Sequence, residues 1–535
     1  MADRIRDGEP VIEPSLMTAD GITIPDEITE AAGVAQEGES LSKRIAFGTV
    51  VQQAGQAVGL IVGLVLATAL ARRLTLAQFG VYGLITSMAT YVFFALGSAE
   101  TAAIRAISGA TDQAQRDRTY TTAIVVYSLL GLVAGLLIAG VGQLLVDVFR
   151  ISRALRHEAR IGILVLGGAT AIGFPLRLHQ DLLRANHRFG LAGLAEGLGW
   201  CVLGGTVLGL LFVVRAPIWA LAAAGGAIPA FLGLSALIVV RVARLPYHVR
   251  PSGVGGADLR GFLGVSGYMF FISSSDVLIN SLDRTVLAAF RSVATVGLYE
   301  GAVRLNNLVR AFTGSLAVTL LPVSSRLAAD GDKTRERDLL VRGTRYMLAA
   351  VVPPTVTLMV LADRVLAVWL GPKFAGAGTG AVIFLVWWLV APSSSVANTL
   401  MIVDGRFNRL AVYSWTIAIV NLAASLALTP LLGLNGVTAG TTIGYLSTFP
   451  FFMRYAFRRH GLSVREFTRA VWLPGYGVGA VLAAVLLAVR RVVALTTVPA
   501  VLGLAAAAVL LSWTAFYALL LSPDEREMFR RMVRR

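Results

Sequence analysis

A chain of 535 residues is long enough for three or four soluble domains, but 56% hydrophobic residues, 15% charged residues and a mean hydropathy of +0.72 exclude a soluble globular protein. The formal net charge of +16 suggests nucleic acid at first sight. In a chain this apolar, what matters is which side of a membrane the 47 Lys and Arg residues occupy.

Residues 1–44 carry ten acids up to position 42, Pro10, Pro14 and Pro25, and no aromatic residue, so they read as a disordered acidic tail. They lack the basic start and short apolar run of a signal peptide, so the first true span, from about Ala46, must direct insertion itself. Apolar runs of about 20 residues then recur along the chain. They give fourteen expected spans: 46–71, 79–102, 121–148, 160–180, 190–214, 217–240, 262–289, 295–321, 344–369, 379–402, 409–430, 433–456, 471–489 and 496–521. With the N-terminus in the cytoplasm, 32 basic residues fall on the inner side and 13 on the outer, the bias of the positive-inside rule, and the C-terminus returns to the cytoplasm. The charge therefore reads as topology and attraction to anionic lipid headgroups, not as nucleic-acid binding.

Span 1 carries Gln53 and Gln56, amides suited either to sugar hydroxyls or to joining helices. Span 2 ends in Glu100 and Arg105. Span 4 ends in Arg177, Asp181, Arg184 and Arg188 on one face. Arg105, Arg177 and Arg184 mark a basic cytoplasmic mouth, with interfacial anchoring as the alternative. Glu196 and Trp200 sit one turn apart in span 5, and Trp387 and Trp388 adjoin in span 10. These groups offer hydrogen bonds and stacking to sugar rings, or, for the tryptophans, plain packing.

Span 7 presents Ser273, Asp276, Asn280 and Asp283 on one face. Span 8 presents Glu300, Arg304, Asn307 and Arg310 at i, i+4, i+7 and i+10, within an arc of roughly 120°. A charge at mid-bilayer costs about 2.5 to 3.5 kcal/mol, so such stripes face a bundle interior or a wet cavity. The alternative to a cavity role is an internal salt bridge that only locks helices together, with Glu300 and Arg304, one turn apart, as the candidate pair. Asp276 and Asp283 are expected counter-ions to Arg304 and Arg310.

Shifting the chain by 217 residues lays Leu70-Ala71 on Leu287-Ala288, Ala77 on Ala294, Gly80 on Gly297 and Tyr82 on Tyr299. Both hairpins start inside, so the repeat is parallel. The expected fold is an all-α polytopic membrane protein of two six-helix lobes, 45–242 and 262–457, joined by a cytoplasmic linker 243–261. Two added helices lie in 458–521, and a basic tail follows in 522–535.

The stretches A-R-R-L-T-L-A-Q-F-G-V-Y-G (71–83), A-I-R-A-I-S (103–108), L-D-R-T-V-L-A-A-F (282–290), V-G-L-Y-E-G-A-V-R-L (296–305), L-L-P-V-S-S-R-L (320–327) and V-L-A-V-W-L-G-P-K-F (365–374) carry a family resemblance. The chain resembles, over roughly residues 45 to 520, the Wzx-like polysaccharide transport proteins of the multidrug/oligosaccharidyl-lipid/polysaccharide exporter superfamily. That resemblance implies a two-lobed flippase in the inner membrane of a prokaryote. Its cargo would be a polyprenyl-pyrophosphate-linked oligosaccharide, moved from the inner to the outer leaflet for surface polysaccharide biosynthesis, and a polysaccharide polymerase or export machinery a natural partner. Arg304, in A-V-R-L, matches the context of a cavity arginine in related flippases. Arg304 and Arg310 then suit the pyrophosphate, because planar guanidinium meets phosphate oxygens bidentately, and Asp276 or Asp283 suits a counter-ion coupled to H⁺ or Na⁺.

Two other transporters stand beside this reading: a multidrug or cation antiporter of the same superfamily, and a flippase for a lipid-linked peptidoglycan precursor. A membrane-embedded polymerase is less favoured, because no long outer loop is left for chemistry. No cofactor or metal is expected: Cys201 is the only cysteine, and the five histidines are scattered.

Overall fold

The computed structural model describes residues 26–249, 274–275, 277–279, 281–329, 333–493, 495–523, 525–527 and 530. Among these the architecture is all-α, with one isolated β-bridge between Arg150 and Ser292. The N-terminal group is α1 (Asp26–Arg73), α2 (Leu76–Ser108), α3 (Gln113–Val148), α4 (Arg153–Ala185), α5 (Phe189–Gly209), α6 (Ile218–Gly226) and α7 (Ile228–Val242). The C-terminal group comprises α8 (281–290), α9 (Val293–Ala329), α10 (Lys333–Asp338), α11 (Thr344–Val360), α12 (Ala362–Trp369), α13 (Gly378–Val403), α14 (Phe407–Leu432) and α15 (Leu434–His460). After the short α16 (Val464–Phe467), α17 (Leu473–Val492) and α18 (Val498–Ala515) pack against α11.

Nine helices among the described residues are long and apolar enough to cross a membrane, and eleven if two bent pairs each count as one span. The pairs α6–α7 and α10–α12 bend by 54° and 75°. The count of fourteen is thus not reached. The three remaining expected spans are 262–289, which falls partly outside the described residues, 295–321, which carries Glu300, Arg304 and Arg310, and 433–456, which is rich in threonine. α1 starts at Asp26, inside the stretch expected as tail. The first part of the expected linker is tied down: Gln113 Nε2 donates to the Pro246 carbonyl at 2.6 Å, and the His248 amide donates to Asp117 Oδ1 at 3.2 Å.

Local chemistry explains the helix ends. Thr75 and Gln78 form a reciprocal capping box at the start of α2, Asp112 caps α3 through the Gln115 amide at 2.6 Å, and Thr497 caps α18. Hydroxyls inside the spans bond back to the preceding turn, as Thr355 does to the Val351 carbonyl at 2.7 Å and Thr429 to Ser425 at 2.6 Å. Long rows of exposed leucine and valine, such as Leu129, Leu132, Leu136 and Leu144 on α3, face outward where lipid replaces water.

The connections 74–75, 149–152, 291–292 and 370–377 gather at one end, called the outer end after its few basic residues; 109–112, 186–188 and 404–406 gather at the inner end. The buried core follows this division. One apolar cluster at the outer end runs through both lobes, from Leu66, Phe79 and Ile163 to Val296, Leu366 and Phe374. At the inner end each lobe has a cluster of its own, with Leu178 and Ala192 in the first and Val396 and Ala456 in the second. Among the described residues, then, one core joins the lobes at the outer end, and each lobe has its own core at the inner end.

The seal is centred on a close crossing of α2 and α9. A Cβ at Gly80 would lie 2.0 Å from the Val293 carbonyl oxygen, and one at Gly297 would lie 2.1 Å from that of Leu76. Val293 and Leu76 are themselves 217 positions apart. The reciprocity is what a two-fold relation between the lobes demands, and it supports the register of the repeat. Around the crossing, Arg72 donates to the carbonyls of Trp369 (3.1 Å) and Val368 (2.8 Å), and Trp369 Nε1 donates to Thr68 at 2.7 Å. The Arg150 amide donates to the Ala288 carbonyl at 3.2 Å, and the Phe79 and Phe374 rings meet edge to face at 5.6 Å.

Overpacking at such a contact costs about 1–3 kcal/mol, so Gly80→Leu or Gly297→Leu should part the outer ends. The check is maleimide labelling of Val293→Cys in a Cys201→Ser background. Labelling should accelerate by at least about tenfold. An unchanged rate would show that the crossing does not hold the seal.

Candidate functional site

Below the crossing, between the lobes, lies a cavity of about 240 Å³. Its polar wall comes from the C-terminal lobe: Arg284 on α8, and Glu300 and Arg304 on α9. The opposite wall offers Tyr82, Thr86 and Thr90 of α2, and Trp200 of α5 closes one side. The glycine spacing of α2 makes room for this chemistry, since a Cβ at Gly83 would stand 2.7 Å from Glu300 Oε1.

Glu300 is buried and holds both arginines unequally. Arg284 Nε donates to Glu300 Oε1 at 2.5 Å, and its Nη2 reaches Oε2 at 3.5 Å. Arg304 Nη2 stands 3.8 Å from Oε2, its side chain is 28% exposed, and its buried Nε has no hydrogen-bond partner among the described residues. Arg284 also stacks over the Tyr299 ring at 5.8 Å. Among the described lining residues two guanidiniums stand against one carboxylate, an excess of positive charge. Arg304 is the looser of the two cations and has a donor to spare, so the arrangement suits a multivalent anion.

The structure brings together part of the expected site. The Glu300–Arg304 pair forms, but Glu300 has a closer partner in Arg284, which was not among the expected site residues. A signal for it existed: at the 217-residue shift, Arg284 lies on Ala67 and Asp283 on Leu66, so the second hairpin carries charges where the first is apolar. Asn307 and Arg310 are exposed and continue the α9 stripe toward the inner end. Gln53 and Gln56 are exposed on the α1 face that, two to four turns on, lines the cavity through Gly63, Ala67 and Leu70.

Asp283 does not pair with Arg304 or Arg310. Its Oδ2 accepts from Tyr299 Oη at 2.8 Å and Thr441 Oγ1 at 2.7 Å, because neighbours on a helix point about 100° apart and Asp283 faces α15 while Arg284 faces the cavity. Asp276 lies outside the described residues.

At the inner end Arg105 is exposed. Arg177 and Arg184 are not spare surface cations. Arg184 pairs with Glu100, approaches Glu196 at 3.4 Å and Asp181 at 3.8 Å, and Arg177 bonds Gln180, which donates to Glu196 at 2.9 Å. Asp181 is fully buried and accepts from Tyr127 at 2.7 Å. Three carboxylates sunk in the N-terminal lobe demand these cations as partners. Trp200 does line the cavity, whereas Trp387 stacks on Tyr445 at 4.8 Å and Trp388 donates to Asn306 at 2.6 Å, both as packing.

Unequal partnership makes a measurable difference. A double-mutant cycle between Arg284→Met and Glu300→Gln, read from unfolding free energies in mixed micelles, should give a coupling of about 2–3 kcal/mol. The Arg304→Met cycle with Glu300→Gln should give less than about 1 kcal/mol. Equal couplings would contradict the assignment of Glu300 to Arg284.

Among solved structures, "Lipid II flippase MurJ, inward closed conformation" superposes with a TM-score of 0.70 at 12% identity, covering 91% of this chain and 100% of the other. An inward-facing multidrug resistance MATE family transporter of the MOP superfamily matches with a TM-score of 0.63 at 15% identity, over 77% of this chain and 98% of the other. A MATE transporter in complex with MaL6 matches with a TM-score of 0.51 at 14% identity, over 79% and 97%. These likenesses establish the fold. No curated protein sequence matches the chain. The family model described as "Polysaccharide biosynthesis protein" matches residues 69–378, more than half of the chain. The chain belongs to the polysaccharide biosynthesis protein family and has the fold of the MOP superfamily transporters.

Proposed function

We propose that the protein is a flippase that carries a polyprenyl-pyrophosphate-linked oligosaccharide from the inner to the outer leaflet of a prokaryotic cytoplasmic membrane, by alternating access and without chemistry on its cargo. The observation that carries this reading is the Arg284–Glu300–Arg304 cluster in the central cavity, next to the crossing of α2 and α9. A doubly charged pyrophosphate competes with Glu300 for Arg304, the weakly held cation, and gains charge-assisted bonds that a sugar alone would not. A cavity of 240 Å³ has room for the pyrophosphate rather than for the glycan. The sugars would occupy the inner vestibule along Asn307, Arg310, Gln53 and Gln56, and the polyprenyl tail would stay in lipid.

Both termini lie in the cytoplasm in this scheme. The acid most suited to respond to H⁺ or Na⁺ is Asp283, beside Arg284 and held by two hydroxyls. A polymerase or export assembly would receive the product. A lipid-linked peptidoglycan precursor is the second reading, favoured by the shared pyrophosphate and by the likeness to a lipid II flippase. The excess positive charge disfavours a cationic drug.

In a strain lacking the protein, Arg284→Gln and Arg304→Gln, expressed at normal level, should each cut export by about tenfold or more and build up full-length lipid-linked repeat units in the inner leaflet. Mass spectrometry of lipid extracts identifies the cargo. Full complementation by both variants would refute the role of the cluster, and an unchanged lipid-linked pool with new drug sensitivity would point to the antiporter.

A further inference from the structure

A second, larger cavity of about 820 Å³ opens on the outer face and shares no lining residue with the central one. It lies between the outer end of α1, α12, the 371–373 turn and the connection that leads into α18. Arg72, Arg364 and Lys373 line it, together with Thr496 and Thr497, and no acid is among the described lining residues. The sequence keeps only 13 basic residues on this side, and here three of them, from three separate segments, converge on one hollow.

The charges in it are poorly neutralised. Arg72 spends its Nε and Nη2 on the backbone carbonyls of Trp369 and Val368, and Lys373 Nζ donates to the Leu74 carbonyl, so among the described residues both meet neutral acceptors. Arg364 has Asp363 at 3.8 Å, but that carboxylate is already bonded to Arg490 at 2.8 Å. α18 starts at the rim, capped by Thr497, and adds the positive end of its dipole.

We propose that this outer pocket binds the phosphate headgroup of an outer-leaflet lipid, with Arg72, Arg364 and Lys373 as its ligands. Three cations with no facing acid favour a doubly charged phosphomonoester or pyrophosphate over a singly charged diester. The site also bears on the seal. Arg72 and Lys373 belong to different lobes, and each donates across the seam. A phosphate in the pocket offers them charged acceptors in place of neutral carbonyls, and so weakens the bonds that hold the outer ends together. The inference does not depend on which cargo crosses the central cavity.

The test uses the full-length protein in phosphatidylcholine nanodiscs, titrated with inorganic pyrophosphate by calorimetry in an Arg304→Gln background that disables the central site. Binding should persist in that background and weaken by about tenfold with Arg364→Gln and again with Lys373→Gln. Among the described residues Arg364 makes no hydrogen bond or ion pair across the seam, so Arg364→Gln should melt as its parent does, which separates loss of binding from loss of fold. Phosphatidic acid built into the nanodisc should compete, raising the apparent pyrophosphate Kd by about tenfold or more. Absence of binding, or binding indifferent to Arg364→Gln, overturns the site. Binding without competition by phosphatidic acid overturns the lipid as its occupant.

Discussion

The approach of α2 to α9 at Gly80 and Gly297 is the constraint on which the remaining geometry depends. Neither backbone tolerates a Cβ there, since each would stand about 2 Å from a carbonyl oxygen of the other helix. Small residues at a crossing are how membrane helices gain contact, because lipid leaves no hydrophobic drive between apolar surfaces. With the outer ends held at this distance, Arg72, Trp369 and Lys373 reach their partners across the seam. The inner ends, each packed around a separate core, have no comparable tie among the described residues.

The same crossing sets the chemistry of the cavity. One turn along α2 from Gly80, Gly83 leaves space for the Glu300 carboxylate, and Glu300 in turn fixes Arg284 and leaves Arg304 with an unmet donor. A lone cation so placed would pay for its dehydration with nothing in return. The shared carboxylate offsets most of that cost while keeping one guanidinium available. The arginine end of the cavity and the joined outer end of the lobes are thus two parts of one helix pair, and parting the outer ends must disturb the arginines.

Much of this was legible in the sequence because membrane helices announce themselves by length and composition, and nine of the expected spans satisfy that criterion outright. The stripe of Glu300, Arg304, Asn307 and Arg310 was readable because helical spacing puts the four on one arc. The 217-residue register was readable too, and it aligned the two glycines that meet. Arg284 was not, because at the end of an apolar run it is indistinguishable from a headgroup anchor until α9 is seen beside it. The roles of Arg177 and Arg184 were hidden for a related reason. Their partners Glu100 and Glu196 lie on other helices, and only tertiary packing turns an apparently basic mouth into an internal ion-pair network. Asp283 was given the wrong partner because the sequence does not reveal that α15 brings Thr441 to it.

The central claim is that the lobes exchange an outer seal for an inner one around the arginine cluster. The most direct measurement is the distance between spin labels at Thr75 and Ala375 on the outer face, and between Thr111 and Asn408 on the inner face, with and without a lipid-linked pyrophosphate oligosaccharide. All four positions are exposed. The account predicts that cargo creates a population with a longer outer and a shorter inner distance, and that Arg304→Gln suppresses it. Transport of the lipid-linked glycan with both distances unchanged would contradict it.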